Sequence, residues 1–586
     1  MKKFFIFLIV FLLVINSAFA QTNNQKIYDT KSEVYEALKY LFVISNHALP
    51  SSTGPWSAAE LLLMLDQIDY DQLEKGAKNA YNFAKDELYY ELPENKYDFI
   101  WNFDANLEMY SHDNTTDYVE KRDWIYGKLD QKPFIHLGIE TYAAENFYGF
   151  FDFDFRNSVH TGTELGETKL STNLITMQNL AFNFNDVSLN FPFRAFSTFG
   201  GDNWTIQLGR DRVNWGAGES GNLIVGDNLE YHNMLRFATF FDSFKYTFIS
   251  SFFPHPINYF DSGKIDLGNS QTQIITGLSA FLAHRFEGRF LDDKLNFTLT
   301  ETMMYMSEEG MLDLQFFNPS MLFHNNYIRY MSNSILGFEL DYTITNGLNI
   351  YGQLVVDEFA LPGEPVPGKA DWAFPTSFGY MLGLKGYKSY NEGILYSSLE
   401  AVKTDPYLYL RYGVGDTDQD SGEYGINYVV AIRNYSNSAS SSVTYDLEFL
   451  GYKHGGDAFV GNLNVGYKEF NKFHIEGNAF MMAHGCNDMY STWSEVTDGR
   501  KPSLPTHSGW LTEDHKNHGN HMDATAETSR NAISYTTVLG INGGYQLTSS
   551  LSLMAQIDYI NVINYKNRKG ETSNDLQMTV GLSYSI

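Results

Sequence analysis

The chain has 586 residues, of which 43% are hydrophobic and 16% are aromatic, and it carries a formal net charge of -29. This charge argues against nucleic acid as a partner, because contact with phosphates needs a basic surface. The single cysteine, Cys486, cannot form a disulfide within the chain, so strand pairing must hold the fold. The many aromatic residues favour strands and are typical of the girdles of membrane barrels.

The first twenty residues have the pattern of a secretory signal. Lys2 and Lys3 precede an apolar run over 4–15, and Ala18-Phe19-Ala20 follows it. We therefore predict a signal peptide over residues 1–20 and a mature chain that starts near Gln21. Neither this run nor any later segment has the roughly eighteen uninterrupted apolar residues that a spanning helix requires. If the mature chain crosses a membrane, it must do so as a closed barrel.

Residues 21–94 differ from the rest of the chain because their apolar residues recur at helical spacing. This spacing covers 34–42 and predicts a first helix. Ser57 and Glu60 form a capping box before a leucine-rich stretch, which predicts a second helix. Asp71 and Glu74 open a third, which extends to Leu88. We predict a small helical bundle that lies on the periplasmic side as a plug.

From about residue 95 to 586 the period of the apolar residues changes to two, which predicts strands. The last eleven residues alternate between apolar and small or polar side chains, as in the closing strand of an outer-membrane barrel. Asn346-Gly347 separates two alternating runs and predicts a hairpin. The other alternating runs are 147–155, 204–208, 336–344, 348–356, 465–467, 473–475, 539–547 and 551–559.

Short turns alternate with long polar connections along this region. The long connections cover 357–375, 416–425 and 487–531. Short turns at one end and long loops at the other are typical of an outer-membrane barrel.

The stretch 208–223 is rich in glycine and contains Arg210, Arg212 and Trp215, and it leads to Asp227. Arginine and aspartate on alternating positions of a barrel strand would face the lumen and pair there, and the glycines would allow tight turns. One interpretation is a polar surface, flanked by aromatic rings, for sugar hydroxyls or carboxylates. The other is a salt-bridge ladder that only stiffens the barrel, since barrel interiors are often charged.

The pattern Gly-Arg-x-x-x-x-Trp-Gly-x-Gly over 209–218 resembles the Wzi family of outer-membrane capsule assembly proteins. Phe317-Asn318-Pro319 and the segments 351–359 and 378–384 resemble the same family. The resemblance implies an all-β transmembrane barrel of about eighteen antiparallel strands, an even number, closed at the periplasmic end by a small N-terminal α-helical bundle. It also implies a lectin-like activity, without catalysis, that holds exported polysaccharide at the cell surface.

Sugar recognition in such a barrel would use aromatic faces for stacking and acidic or amide side chains for hydrogen bonds. Trp372, Trp493 and Trp510 lie in the long loops and offer such faces, although tryptophan also anchors barrels at the headgroup level. The candidate ligand-binding residues are Arg210, Arg212, Trp215, Asp227, Asp357, Trp372, Trp493 and Trp510.

Other chemistries find less support, and no metal or cofactor is expected. Asp416, Asp418 and Asp420 alternate as in the first half of a calcium loop, but Gly422 falls one place late for an EF-hand. The histidines of 515–521 recur every third residue in a glycine-containing loop, which is a poor platform for metal ligands. The sequence around Ser220 lacks the spacing of an esterase elbow.

We therefore expect a non-enzymatic protein of the outer membrane that binds surface or capsular polysaccharide. Its other expected partners are outer-membrane lipid and the barrel assembly machinery. The alternative is a porin-like channel for small solutes, in which acidic side chains of the lumen would favour cations. A barrel enzyme that acts on lipid is a third possibility.

Overall fold

The computed structural model describes residues 23–89, 93, 96–114, 116–118, 124–127, 129–156, 163–164, 167–168, 178–180, 187, 194–254, 278–307, 332–359, 376–410, 426–435, 443–489, 505–506 and 530–586. Within these residues, eighteen antiparallel strands form one closed barrel. Each strand pairs with its neighbours along the chain, and the last strand pairs with the first through Ser585 and Asp104. Both the fold class and the strand number predicted from the resemblance are confirmed.

The first nine strands of the barrel are β1 (Tyr97–His112), β2 (Ile135–Ala143), β3 (Phe147–Phe155), β4 (Ala195–Gly201), β5 (Trp204–Asp211), β6 (His232–Phe240), β7 (Phe244–Phe253), β8 (Leu278–Phe290) and β9 (Leu295–Ser307). The second nine are β10 (Ser332–Thr345), β11 (Leu348–Glu358), β12 (Ser377–Tyr390), β13 (Gly393–Thr404), β14 (Ala458–Glu469), β15 (Phe473–His484), β16 (Ser534–Gln546), β17 (Leu551–Ile563) and β18 (Thr572–Ser585).

The apolar and polar residues that alternate in the sequence are the side chains that face outward and inward, respectively, in the barrel wall. In β18, Leu576, Met578 and Val580 are exposed on the outer face, whereas Gln577 and Thr579 between them are buried. The predicted hairpin is also present, because β10 and β11 meet at Asn346-Gly347, where Gly347 has a φ of 83°. Glycine adopts this left-handed conformation without steric cost. An apolar outer face around a closed wall is the surface that a bilayer requires.

Three helices precede the barrel: α1 (Glu33–Ile44), α2 (Ala58–Leu65) and α3 (Lys75–Leu88). The predicted cap of α2 is confirmed, because the Ser57 side chain accepts a hydrogen bond from the Glu60 main chain. The third helix starts at Lys75, later than Asp71, because Tyr70–Gln72 form a separate 3-10 turn and Leu73 is extended. Among the described residues, none of the helices has the length and the apolar character needed to cross a membrane.

The helices pack against the end of the barrel that carries the short turns. The Ala48 N–H donates to the carbonyl of Asp293 (2.7 Å), and the Gly347 N–H donates to the carbonyl of Val43 (2.8 Å). On α3, the Phe83 ring stacks on Phe470 at 4.9 Å between centroids. Asp293, Gly347 and Phe470 each lie in a short turn between consecutive strands. The bundle therefore covers the short-turn end.

Two connections between strands fold into the barrel and fill much of its interior. They are residues 212–231, between β5 and β6, and the described parts of 405–457, between β13 and β14; together we name them the central plug. Trp215, Leu223 and Val225 of the first are fully buried, as are Tyr409 and Tyr428 of the second. They share one hydrophobic cluster with the inner faces of β7–β14. The two connections are joined by a hydrogen bond from the Gly226 N–H to the Leu450 carbonyl (2.9 Å).

Candidate functional site

The glycine-rich stretch leaves the barrel wall at Asp211, which is fully buried inside the barrel. Its carboxylate pairs with the guanidinium of Arg194 (2.6 Å) and accepts a hydrogen bond from Gln207 (2.7 Å). An internal salt bridge is thus present at this point, as one interpretation predicted. Its basic partner comes from the approach to β4, however, and not from the stretch itself.

The predicted pairing of Arg210 in the lumen is wrong. Arg210 follows Leu208, which is 63% exposed on the outer face, at the spacing of two that keeps residues on one side of a strand. It donates to Asn233, which stands directly opposite on β6 (3.1 Å), and its guanidinium lies 3.9 Å from the centre of the Tyr231 ring. Because adjacent residues of a strand point to opposite faces, Arg210 and Asp211 cannot both face inward.

Trp215 lies in the middle of the interior. It pairs with Thr53 in a two-residue ladder between the first connection of the central plug and the segment before α2. The Arg285 guanidinium of β8 lies 5.7 Å from the centre of its ring and also donates to the Thr53 hydroxyl (2.5 Å). Trp215 therefore joins the helical part, the central plug and the wall. Its complete burial makes it a packing residue in the described arrangement.

Glu400 of β13 holds the tip of the first connection to the far wall. Its carboxylate accepts main-chain hydrogen bonds from Glu219 (2.9 Å) and Ser220 (3.0 Å). It also accepts from the Ser220 hydroxyl and from the phenol of Tyr351 (2.7 Å). Charged acceptors make the stronger hydrogen bonds of proteins. This one carboxylate therefore fixes a turn 180 residues away in sequence.

The same contacts indicate that Ser220 has a structural role, and not the role of a catalytic nucleophile that was weighed from the sequence. Among the described residues, its hydroxyl contacts Glu400 and the Tyr452 hydroxyl (3.0 Å). A nucleophilic serine usually needs a histidine that accepts its proton. Here the Ser220 hydroxyl donates to the Glu400 carboxylate, which also accepts hydrogen bonds from two main-chain N–H groups.

Gly383 makes room for this network, which leads to a test by substitution. A Cβ at Gly383 would lie 2.2 Å from the Tyr351 ring, whereas a Cβ at Gly461 would meet no atom within 4 Å. We expect Gly383→Ala to displace the ring, weaken its bond to Glu400 and destabilise the barrel by about 1–3 kcal/mol. Gly461→Ala is the matched control and should be neutral. Thermal unfolding in detergent measures both, and equal midpoints would contradict the assignment.

The remaining candidate residues lie in two kinds of place. Asp357, at the end of β11, is buried and accepts the main-chain N–H of Tyr409 (2.7 Å), so it anchors the second connection of the central plug. Asp227 is half-buried within the first connection. Trp372, Trp493 and Trp510 lie outside the described residues, as do the aspartates of 416–420 and the histidines of 515–521.

The inner face of β14–β18 carries polar residues that the sequence interpretation missed. We name this surface the polar inner wall; its members are Asn462, Asn464, Glu476, Asn478, Asn542, Gln556, Asp558 and Gln577. Asn464, Glu476 and Asn478 are half-buried, unlike the fully buried inner faces that touch the central plug. The signal was visible as amide and acid residues at alternate positions, as in Asn462-x-Asn464 and Glu476-x-Asn478.

Hydrogen bonds order the polar inner wall. Asn478 donates to Asn462 (2.9 Å), Asn542 donates to Glu476 (3.3 Å) and Gln556 donates to Asp558 (2.8 Å). The half-buried Phe480 and Met554 lie on the same face. Each amide offers both donors and acceptors, so the wall can donate hydrogen bonds to hydroxyl groups and accept hydrogen bonds from them.

One group of side chains has the composition of a metal site. His136, Asp152 and Asp154 offer ligand atoms within 4.8 Å of one another, the one such group among the described residues. Asp154 already accepts from His136 (2.6 Å) and from Arg156 (3.0 Å). The Arg156 guanidinium thus already supplies a positive charge to the Asp154 carboxylate, so the arrangement fits a structural ion pair better than a metal site.

No protein-family model and no curated protein matches the chain. Among solved structures it is similar to Wzi of Escherichia coli, described as an outer-membrane protein involved in group 1 capsule assembly and as a carbohydrate-binding β-barrel. The TM-score is 0.55 at 12% identity, over 95% of this chain and 98% of that one. Matches to Pseudomonas aeruginosa OprD (TM-score 0.36, 9% identity, 83% and 95% covered) and to the Acinetobacter baumannii channel DcaP (0.34, 8%, 84% and 99%) are weaker.

The similarity to Wzi shows a common fold over nearly the whole chain. A fold does not by itself determine a function. The closed wall, its apolar outer face and its eighteen described strands belong to an outer-membrane barrel. The protein is therefore a β-barrel of the cell outer membrane.

Proposed function

We propose that the protein binds exported capsular or surface polysaccharide at the cell surface, without catalysis, as a distant relative of the Wzi family. The observation that carries this proposal is the division of the interior into a filled part and a polar part. The central plug fills the side of β7–β14, and the polar inner wall lies on the side of β14–β18. A barrel that keeps a half-buried polar surface beside a closed core is better suited to binding a ligand than to letting solutes pass freely.

The chemistry of the polar inner wall suits sugars. Hydroxyl groups need donors and acceptors at short spacing, and Asn464, Asn478 and Asn542 supply both. Carboxylates such as Glu476 accept from hydroxyls. The long-loop tryptophans Trp372, Trp493 and Trp510 stay predicted stacking residues for the part of the polysaccharide outside the barrel.

The helical residues 21–94 would close the periplasmic end of the barrel. Short turns of outer-membrane barrels face the periplasm, and α1–α3 pack against the short turns. In this arrangement the polysaccharide would approach from the long-loop end. The signal peptide over residues 1–20 and the barrel over 95–586 complete the proposed domain organisation, with assembly by the barrel assembly machinery.

The second candidate function is a porin-like channel, which the polar inner wall would favour if water runs past it. The buried central plug and the helices oppose this function. Conductance in planar bilayers separates the two functions, because a barrel blocked in this way should pass little current.

Binding to surface polysaccharide purified from the source strain tests the proposal directly. We expect the detergent-solubilised protein to bind it, and the double variant Asn478→Ala with Asn542→Ala to bind at least about ten-fold more weakly, as loss of two hydrogen-bonding groups predicts. Asn574→Ala is the matched control, since Asn574 is exposed on the outer face of β18. Absence of binding by the unmodified protein, together with unchanged polysaccharide retention in a deletion strain, would reject the function.

A further inference from the structure

The connection between β17 and β18, residues 564–571, is the shortest one at the long-loop end of the described barrel. The next shortest at that end is 359–376. A connection as short as 564–571 cannot extend far beyond the rim of the wall. Its side chains therefore stay close to the surface of the bilayer.

The length of β17 places this connection at the level of the lipid headgroups. β17 has 13 residues. With a rise of about 3.3 Å per residue and a tilt of about 45°, such a strand spans about 30 Å across the membrane, whereas the apolar band of a barrel is about 25 Å tall. Tyr559 and Ile563 are exposed on the outer face up to the end of the strand. The connection therefore begins where the apolar band ends, in the leaflet that faces the cell exterior.

Three basic residues lie in this connection, although the chain has 70 acidic and only 41 basic residues. They are Lys566, Arg568 and Lys569, against the acid Glu571, and we name residues 564–571 the basic turn. Lys566 and Lys569 are exposed, and neither forms an ion pair among the described residues. Arg568 pairs with Glu571 at 3.6 Å, an exposed contact that contributes little. The basic turn thus presents an excess of positive charge.

Acidic residues of the adjoining segments have other partners. Asp117 accepts a hydrogen bond from the Ser573 hydroxyl, and Asp488 pairs with Arg530 (2.7 Å). Within the part of the chain that the structure describes, Glu571 is the one acid that forms an ion pair with the basic turn. We therefore expect the anion that complements Lys566 and Lys569 to come from another molecule.

Neighbouring segments hold the main chain of the basic turn in place. Asn567 is buried, and its amide donates to the carbonyls of His484 (3.1 Å) and Ala532 (3.1 Å). The Lys569 N–H donates to the side chain of Asn531 (2.8 Å). A surface that is already ordered loses less conformational entropy when it binds a ligand.

A leaflet that carries phosphate groups complements this charge. We propose that the basic turn binds the phosphate groups of the lipid in the outer leaflet. Lysine attracts phosphate as a point charge, and arginine can bind two phosphate oxygens at once. The position of the turn at the edge of the apolar band favours lipid over polysaccharide, because the phosphates of the headgroups lie at that level.

Titration of the full chain in neutral detergent with two forms of lipid A, one with both phosphates and one with none, tests the proposal. Native mass spectrometry measures the dissociation constants, with a chelator present so that no divalent cation bridges phosphates. We expect the form without phosphates to bind at least about ten-fold more weakly, since basic residues at the headgroup level attract acidic lipid. Joint replacement of Lys566, Arg568 and Lys569 by glutamine should weaken binding of the phosphorylated form by a similar factor. Lys566→Arg with Lys569→Arg should retain it.

The matched control is the joint replacement of Lys75, Lys78 and Lys85 by glutamine. It removes the same charge from α3, at the short-turn end, and should change nothing. Equal affinity for the two forms of lipid A rejects the proposal, as does unchanged lipid binding by the triple variant of the basic turn. Heat-modifiable migration on a gel confirms that each variant is folded.

An acidic polysaccharide, polygalacturonate, is the competing ligand in the same assay. If the triple variant of the basic turn loses polygalacturonate binding but keeps the affinity for phosphorylated lipid A, the turn serves a polysaccharide and the proposal is overturned. Lipid A has no polysaccharide chain, so the lipid result does not depend on whether the protein binds capsular or surface polysaccharide.

Discussion

Replacement of Glu400 by alanine is expected to loosen the tip of the central plug at the wall and to let the barrel conduct ions. The substitution leaves the main-chain N–H groups of Glu219 and Ser220 without their acceptor. It also removes the acceptor of the Tyr351 phenol. Each buried donor left without a partner costs about 1–3 kcal/mol, so the tip of the first connection is destabilised. The Lys385–Glu219 ion pair and the hydrogen bond from the Leu223 N–H to Gln353 remain.

Single-channel recording in planar bilayers measures this effect. The unmodified protein should show little current, and Glu400→Ala should show frequent openings together with a lower temperature of unfolding. Asp558→Ala is the matched control, because Asp558 is also a buried carboxylate of the wall but accepts from Gln556, its neighbour on the same strand. If both variants are as silent as the unmodified barrel, Glu400 does not hold the central plug in place.

The barrel could be predicted from sequence because its information is local. The alternation of apolar and polar residues along 576–586 or 348–356 indicates which face of the strand contacts lipid. A two-residue Asn-Gly turn joins two such runs. The helices are equally local, as the cap between Ser57 and Glu60 illustrates. Pairing then follows chain order around the wall, and the closing pair between the last strand and the first is the one pairing of the described barrel that departs from this order.

The interior could not be predicted in the same way. The Ser220–Glu400 contact joins residues 180 positions apart, and the contact between Arg285 and Thr53 joins residues 232 apart. No periodicity marks residues 212–231 as a segment that folds inward. The residue types were nevertheless informative, since the glycines beside Trp215 indicated tight turns. The polar inner wall was missed because its amide residues were interpreted only as the water-facing side of barrel strands.

Lys245→Met is expected to loosen the helical part from the barrel, with a loss of about 3–5 kcal/mol in the free energy of unfolding. Lys245 of β7 is buried and binds Glu60 of α2, the Ser51 hydroxyl (3.0 Å) and the Thr53 carbonyl (3.0 Å). Without it, the buried Glu60 carboxylate keeps Arg236, at 4.0 Å, as its one cationic partner among the described residues. The cost arises from this uncompensated charge, more than from the lost attraction.

A double-mutant cycle tests whether the loss of stability comes from the uncompensated charge of Glu60. Glu60→Gln in the Lys245→Met background should recover a large part of the stability, because it removes the stranded charge while it keeps the shape of the side chain. Lys75→Met is the matched control: Lys75 also joins a helix to the barrel, through Glu392, but this ion pair is exposed and contributes little. Urea unfolding in detergent, followed with limited proteolysis of residues 23–89, measures both the loss and the loosening. Additive losses in the double variant, without recovery, would show that Lys245 acts through packing and not through its pairing with Glu60.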